Sequence, residues 1–319
     1  MNRAPNDLSN SEALQIALVG TGGPIAAADR RGPCLAVFAG RRAFLVDTGP
    51  GAWNGLAGLR LPGDKFSFIL LTHFHSDHIG DLGEVNMQTW AVGRAAPLVV
   101  YGPPGVDRVA AGFQTAYELD SQYRLLHHGR ETMPPAAAVM KPQPVITPAP
   151  DQGVVFYDRD GLKIIAFEVD HRPVEPAYGY RIEYRGRTIV ISGDTAKCDN
   201  MVRFSKGADL LVHSALSRLM VTQISKTAAE LGRPRIAKIT TDILEYQTDP
   251  VQAAEIAETA GVKMLAFVHL VPPPPNRIVE WLFMRGVKDV FSGRALLGRD
   301  GLAFRLPAGD SSIEVFEID

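Results

Sequence analysis

The stretch THFHSDHIG, residues 72–80, decides how this sequence is interpreted. It packs four metal-ligand side chains into six positions: His73, His75, Asp77 and His78. The residues just before it, 66–71, are apolar, aromatic and few, which is typical of a buried strand. A loop at the carboxyl end of a strand can present side chains while the sheet holds them still. Solvated loop histidines are the alternative, and the clustering favours a metal site.

Composition limits what the rest of the chain can be. The 319 residues are 46% hydrophobic, enough for a large core in one or two domains. Thirty-three basic against 35 acidic residues leave a net charge of −2, and no basic stripe stands out. No apolar run approaches the roughly 20 residues of a membrane helix. We expect a flexible tail over residues 1–13 and one compact domain over 14–319.

The chain begins with a polar segment that lacks the pattern of a signal peptide. Its two cysteines, Cys34 and Cys198, are too few for a disulfide framework, and we expect inert, reduced thiols. These features predict a cytoplasmic protein that does not bind membranes.

Three further candidate ligands also follow apolar strands. His171 ends KIIAFEVDH, Asp194 follows the paired strands of YGYRIEYRGRTIVISGDT, and His269 ends VKMLAFVH. Strand ends of one sheet lie on one edge, so these residues can converge with the four in residues 72–80. Seven ligands exceed what one tetrahedral metal uses, and they suit two metals about 3.5–4 Å apart with a bridging carboxylate. Imidazoles and carboxylates without a thiolate suit zinc, iron or manganese.

Other segments indicate how these strands are connected. Residues 35–38 and 43–46 flank a short Gly-Arg-Arg turn and predict a hairpin. Helical periodicity is present over 81–90 and 106–116. The helix in TDPVQAAEIAETAG should begin after Asp249 and stop at Gly261. Residues 134–150, rich in proline and alanine, predict a surface connector or lid.

Six further motifs complete the pattern: GTGGP, DTGPG, VYGPPG, VDHRPVEPAYGYRIEY, ISGDT and QAAEIAETAGVKMLAFVHL. Together with His-x-His-x-Asp-His, they resemble the metallo-β-lactamase-fold hydrolases from about residue 14 onwards. Within that superfamily the sequence is most similar to the ribonuclease Z-related branch, especially its arylsulfatase-like members. The resemblance implies an αβ/βα fold, with two β-sheets face to face and helices outside. The metal motif is specific for the fold and weak for the substrate.

The resemblance also implies roles for individual residues. His73, His75 and His171 should hold one metal, Asp77, His78 and His269 the other, and Asp194 should bridge the two. Two Zn²⁺ ions per chain are expected, with Mn²⁺ or Fe as alternatives. The expected catalytic residues are Asp77, Asp194 and His213, although His213 could equally be a core histidine.

Several other residues carry open alternatives. Asp47 should orient a ligand imidazole or else simply end a strand. His127 and His128, taken as a loop pair, could line the entrance or be solvated. Tyr180 is expected to be packed in its strand. Gln247 stands where this branch usually carries a proton-donating histidine, and an amide cannot act as an acid.

The function predicted from these features is a dinuclear metal-dependent hydrolase of sulfate or phosphate esters. A lactonase or β-lactamase acting on a carbonyl is the alternative; ribonuclease Z-like processing and a non-catalytic binding protein are less favoured. Loops over residues 102–150 and 216–245 should determine the substrate. The resemblance implies a long basic arm between His171 and Asp194 in members that process transfer RNA, and here two strands fill that segment. With the acidic net charge, this predicts a small-molecule substrate and argues against nucleic acid. A homodimer is left open.

Overall fold

The computed structural model describes Leu8 and residues 12–318. The strands are β1 Leu14–Gly20, β2 Cys34–Ala39, β3 Arg42–Val46, β4 Phe66–Leu70, β5 Leu98–Gly102, β6 Met140–Pro144, β7 Gly153–Arg159, β8 Leu162–Glu168, β9 Tyr178–Tyr184, β10 Arg187–Ile191, β11 Leu210–Leu216, β12 Met264–Val271, β13 Arg294–Leu297, β14 Leu302–Leu306 and β15 Glu314–Glu317. The helices are α1 Ala52–Gly58, α2 Ser76–Ile79, α3 Leu82–Ala91, α4 Val106–Ala116, α5 Glu118–Thr132, α6 Asp199–Ser205, α7 Arg218–Glu230, α8 Pro234–Asp242, α9 Pro250–Ala260, α10 Arg277–Phe283 and α11 Val287–Val290.

The strands form two mixed sheets. The first has the order β15-β14-β1-β2-β3-β4-β5-β6, and the second has the order β13-β12-β11-β10-β9-β8-β7. In each sheet one half is antiparallel and the other is parallel, with the parallel strands joined through helices. The parallel strands β3 to β5 and β10 to β12 point their carboxyl ends toward the ligand residues.

Three hydrophobic clusters show how the layers pack. The central cluster lies between the sheets and joins residues such as Ile16, Phe44 and Leu70 of the first sheet to Ile182 and Val212 of the second. A second cluster packs α1, α3 and α4 on the outer face of the first sheet. A third packs α6, α9, α10 and α11 on the outer face of the second. The predicted αβ/βα sandwich is confirmed.

Several local predictions are confirmed as well. Strands β2 and β3 form the antiparallel hairpin around Gly40, and α3 and α4 occupy the two periodic segments. Helix α9 begins with a capping box between Asp249 and Gln252. It ends at Gly261, whose φ of 65° is a left-handed conformation that suits glycine.

Other predictions need correction. Residues 134–150 are not simply a connector, because they contain β6, which pairs in parallel with β5 at the sheet edge. Prolines 142 and 144 are tolerated there because an edge strand has one side without ladder bonds. The expected loops at 102–150 and 216–245 are largely helical: α4 and α5 in the first, α7 and α8 in the second. His127 and His128 lie exposed on α5, not in a loop.

The tail predicted for residues 1–13 falls mostly outside the described residues. Leu8 is described and is buried, and its carbonyl oxygen accepts a hydrogen bond from the Gln15 side chain at 2.8 Å. The single domain over 14–319 stays a prediction. Within the described part of the chain, no helix has the length and apolar character needed to span a membrane.

Candidate metal centre

The segment after β4 delivers its four polar side chains through one tight turn. The amide of His78 donates to the carbonyl of His75 at 3.0 Å, which closes the four-residue helix α2. The turn directs His73 and His78 inward, where both are buried, and leaves His75 exposed and Asp77 half-buried. One short segment therefore supplies ligands at different depths.

Three strand ends of the second sheet bring the remaining candidates to the same place. His171 follows β8, Asp194 follows β10 and His269 lies within the carboxyl end of β12. All three are buried. The structure thus brings together all seven residues that the sequence singled out as metal ligands.

The seven residues form three overlapping groups whose ligand atoms lie within 4.8 Å of one another. These groups are His73, His75 and His171; His73, His78 and Asp194; and Asp77, His78 and His269. In the first, His75 Nδ1 lies 2.9 Å from His73 Nε2 and 3.3 Å from His171 Nε2. Each outer group could hold one metal ion, and the middle group shares one histidine with each of them.

Asp194 belongs to the middle group, which shares His73 with one outer group and His78 with the other. Its Oδ1 is 3.5 Å from His78 Nε2, and its Oδ2 is 3.3 Å from His269 Nε2. Asp77 Oδ2 approaches the same two rings, at 3.7 Å from His78 Nε2 and 3.2 Å from His269 Nε2. Two carboxylates therefore face histidines that come from opposite sheets.

The electrostatics of the centre favour positive charge. Burial would raise the pKa of Asp194, but His269 and His78 outweigh it and hold that pKa well below its ordinary value. Burial would lower the pKa of His78, but Asp194 and Asp47 outweigh it and raise that pKa well above the usual range. Burial, aided by neighbouring His78, lowers the pKa of His73. A buried carboxylate kept ionised is what a cation needs as a partner.

Asp47 and Thr72 support the side of the centre that the first sheet supplies. Asp47 Oδ2 lies 2.8 Å from His78 Nδ1, and its two oxygens accept hydrogen bonds from the Thr72 amide and hydroxyl at 2.8 and 2.9 Å. The Thr72 hydroxyl is also 3.1 Å from His73 Nδ1. The structure therefore places Asp47 against the His78 imidazole, a candidate ligand, where a residue that orients a ligand would lie. Sequence analysis missed Thr72, and its position beside His73 was the available signal.

Backbone conformation also marks the centre. Asp47 and His269 have φ values of 58° and 46°, in the left-handed region that non-glycine residues seldom occupy. A Cβ at Gly23 would come within 3.1 Å of the His269 ring, so only glycine leaves the ring its place. Strained residues of this kind persist where surrounding contacts hold them, and they cluster at functional sites.

The second sheet's ligands are supported by a segment that follows α8. His171 Nδ1 lies 3.3 Å from the carbonyl oxygen of Tyr246. Gln247, only 4% exposed, donates from Nε2 to Asp194 Oδ2 at 2.7 Å. Sequence analysis placed Gln247 at the site but did not find its contact with Asp194, nor the role of the Tyr246 carbonyl.

Unsatisfied atoms provide a test of whether a metal fits. Within the described residues, His78 Nε2 and Asp194 Oδ1 are buried and have no hydrogen-bond partner. Leaving such atoms unpaired costs roughly 1–3 kcal/mol each, more for charged groups. Both atoms belong to the ligand groups and face one another, so a bound cation would satisfy them together. The donor set fits a metal.

A cleft leads to this centre from the surface. The cleft has a volume of about 630 Å³. Most residues between 23 and 32 line it, together with Pro50, Ser76, Asp77 and Gly80. The side chain of Arg31 on its wall is 38% exposed and is held 3.2 Å from Asp300. A ligand in the cleft would therefore meet a cationic group and Asp77.

Other candidates lie apart from the ligand groups. His213 is fully buried on β11, its Nδ1 lies 2.7 Å from the Ser214 carbonyl oxygen, and burial lowers its pKa to about 4. It is neutral at physiological pH, and its catalytic role stays a prediction. Tyr180 is packed, with its hydroxyl donating to the Leu71 carbonyl at 2.6 Å. Burial raises the pKa of the Cys34 thiol well above its usual value, which keeps it protonated.

Comparison with known proteins identifies the family. The family model described as "Beta-lactamase superfamily domain" matches residues 42–270. Ribonuclease Z of Mycobacterium bovis BCG Pasteur is 38% identical over 291 residues, which cover 90% of this chain and 96% of the relative. The chain belongs to the ribonuclease Z-related branch of the metallo-β-lactamase superfamily. It is a hydrolase of that fold.

Solved structures agree on the fold. The metallo-β-lactamase fold protein YhfI from Bacillus subtilis superposes with a TM-score of 0.64 and 22% identity, covering 92% of this chain and all of YhfI. The short form of human tRNase Z superposes with a TM-score of 0.65 and 20% identity, covering 92% of this chain and 99% of that structure. At these identities, the superposition shows the shared architecture.

One prediction about partners is wrong. The acidic net charge and the short segment between His171 and Asp194 argued against nucleic acid and for a small-molecule substrate. Relatives matched over nearly their whole length are instead named ribonuclease Z, not arylsulfatase or lactonase. Net charge averages over the entire surface, so a value of −2 says little about one cleft.

Proposed function

We propose that this protein is a dinuclear metal-dependent phosphodiesterase that cleaves RNA. The observation that carries the proposal is the convergence of two ligand groups on Asp194 in a chain that matches ribonuclease Z over nine-tenths of its length. The partly exposed Arg31 in the adjoining cleft supports a substrate that carries phosphate.

The ligand groups support a division of seven residues between two ions. His73, His75 and His171 would hold one ion; Asp77, His78 and His269 would hold the other. Asp194 would contact both ions, because the group that it forms with His73 and His78 shares one histidine with each set. Zinc suits this set of imidazoles and carboxylates best, with manganese and iron as alternatives.

The residues of the chain would bind and orient the reactants. When bound, the ions supply a water of lowered pKa and neutralise charge that develops on the attacked phosphate. Asp194, whose lowered pKa keeps it ionised, would accept a hydrogen bond from the attacking water. Asp77 lies on the cleft side of the centre and would orient the attacking group toward the substrate. Arg31 would bind a non-bridging phosphate oxygen and position the chain being cut.

Metal content tests the first part of the proposal. Protein purified without chelators should contain about two transition-metal ions per chain by elemental analysis. His75→Ala should lower the content towards one ion. A well-folded wild-type protein with one ion or none would contradict the two-metal proposal.

A substrate panel tests the second part. Short single-stranded and hairpin RNAs should be cleaved, and addition of a chelator should abolish cleavage. The same protein should be tested on bis-p-nitrophenyl phosphate, p-nitrophenyl sulfate, a lactone and a chromogenic β-lactam. Turnover of the sulfate ester or of a carbonyl substrate with no cleavage of any RNA would overturn the proposal, and so would metal binding with no turnover at all.

A further inference from the structure

Gln247 makes a contact with the centre that a proton donor would not need. Its Nε2 donates to Asp194 Oδ2 at 2.7 Å, and the side chain is nearly fully buried. We propose that Gln247 is a positioning residue that fixes the carboxylate of Asp194 between the two ligand groups. The inference rests on the proposed metal site, since it assigns a role toward that site.

The geometry of Asp194 explains what this contact does. The carboxylate has one oxygen held by the amide of Gln247, whereas Oδ1 has no hydrogen-bond partner among the described residues. A carboxylate tied at one oxygen cannot rotate freely, so Oδ1 keeps its direction toward His78 Nε2, 3.5 Å away. The amide therefore favours the orientation in which Asp194 faces His78 and His269, with a carboxylate oxygen also within 4.8 Å of a His73 ring nitrogen.

The chemistry of an amide suits a positioning role and excludes the role of a general acid. The Gln247 side chain does not titrate, so it donates the same hydrogen bond at every pH at which the protein is folded. It has no proton to give to a leaving group. A residue that donates one N–H to Asp194 and whose Oε1 is buried is also poorly placed to reach the substrate.

The surrounding segment holds Gln247 in place. The Thr248 hydroxyl donates to the Thr195 carbonyl at 2.6 Å, and the Leu216 amide donates to the Thr248 carbonyl at 2.9 Å. On the other side, Tyr246 presents its carbonyl oxygen to His171. Three consecutive residues thus contact two candidate ligands and the residue after one of them. Anchoring of this kind is what a positioning residue requires.

The experiment compares metal affinity in matched variants. Gln247→Met keeps the length of the side chain and removes the donor. Gln223→Met makes the same change at an exposed position of α7 and is the control. Affinity for zinc, measured by competition with a chromogenic chelator, should fall about 10–100-fold in Q247M and stay unchanged in Q223M. Gln247→His should recover most of the affinity, because a ring N–H can donate to Asp194.

Kinetics with excess zinc separate a positioning role from direct catalysis. The slope of log kcat against leaving-group pKa for aryl phosphodiesters should be the same in Q247M and in the wild type. Unchanged zinc affinity with a changed slope would overturn the inference, since Gln247 would then act on the substrate. If Q247M does not fold, Gln247→Asn, whose shorter amide cannot reach Asp194, takes its place with the same expected results. A wild-type protein without bound metal would overturn the proposed function too, whereas two metals with equal affinity in Q247M would overturn this inference alone.

Discussion

The two sheets contribute to the centre in different ways. The first sheet supplies four candidate ligands from one segment of six residues, 73–78, after a single strand. The second supplies one residue from each of three separate strand ends: His171, Asp194 and His269. The first set is held by a carboxylate and a hydroxyl within the same sheet, and the second by a segment that follows two helices.

The two halves of the centre, one from each sheet, therefore depend on different parts of the fold for their geometry. The local set shares one turn, and Asp47 at the end of the neighbouring strand β3 contacts its His78. The distributed set depends on the order and register of β8 to β12, and the parallel strands β10, β11 and β12 are far apart in sequence. We therefore expect the second half to be more sensitive to distant packing changes. The predictions below test that expectation, from the largest effect to the smallest.

The largest effect should come from Asp194, where the halves meet. Asp194→Ala removes a carboxylate that lies near His73 of one ligand group and His78 of the other, and it leaves the buried His78 Nε2 without this partner. We expect loss of both metals and a fall in kcat of about 10³-fold or more. Elemental analysis and turnover of bis-p-nitrophenyl phosphate are the measurements. Full metal content with full turnover would show that Asp194 does not join the halves.

A smaller effect should follow from Asp47, which supports the first half alone. Asp47→Ala removes the partner of His78 Nδ1 and of the Thr72 amide and hydroxyl. Loss of such a partner typically costs 10–100-fold in metal affinity. Titration with zinc should show the loss, with Asp107→Ala on the exposed face of α4 as control. Equal affinities in the two variants would mean that His78 is held by its own turn.

The sequence predicted the local half better than the distributed half. The metal ligands in residues 72–80 were predictable because four residues of ligand type follow one another closely after an apolar strand. His171, Asp194 and His269 could be proposed only because each followed an apolar segment, and their convergence required the sheet. The residues that support the candidate ligands were harder to predict from the sequence. The contact of Gln247 with Asp194 joins residues 53 positions apart, and no periodicity or spacing encodes it.

The helical segments outside the sheets were also misjudged. Residues 216–245 contain α7 and α8, yet many of their apolar residues, including Leu219 and Leu231, are exposed at 72% and 67%. Gly232 and Pro234 interrupt the periodicity between the two helices, and turn residues of this kind favour a loop prediction. In α5, similarly, no residue is buried.

A further prediction concerns how the stability of the protein depends on pH through His213, which lies in the second sheet. Burial lowers the pKa of His213 to about 4, against about 6.5 in the unfolded chain. As pH falls through this window, the unfolded state binds a proton that the folded state does not, so stability is lost. From pH 7 to pH 5 this amounts to about 2 kcal/mol. Urea unfolding of metal-free protein should show a correspondingly smaller loss in His213→Gln, and equal losses in both proteins would contradict the prediction.

The smallest effect should come from the packing of the α7–α8 hairpin, on which the Tyr246–Gln247 support depends. Val221 on its inner face is fully buried against Leu216 and Val271, whereas Leu231 on its outer face is exposed. Val221→Ala should cost about 1–3 kcal/mol of stability, and it should weaken zinc binding by a few-fold because the segment after α8 loosens. Leu231→Ala should change stability by less than about 0.5 kcal/mol and leave zinc affinity unchanged.

Asp47, on the other sheet, provides the comparison: Val221→Ala combined with Asp47→Ala should give additive losses in affinity, because the two supports share no contact. Losses well below the sum would mean that the two halves of the centre are held by one connected structure rather than by two independent ones.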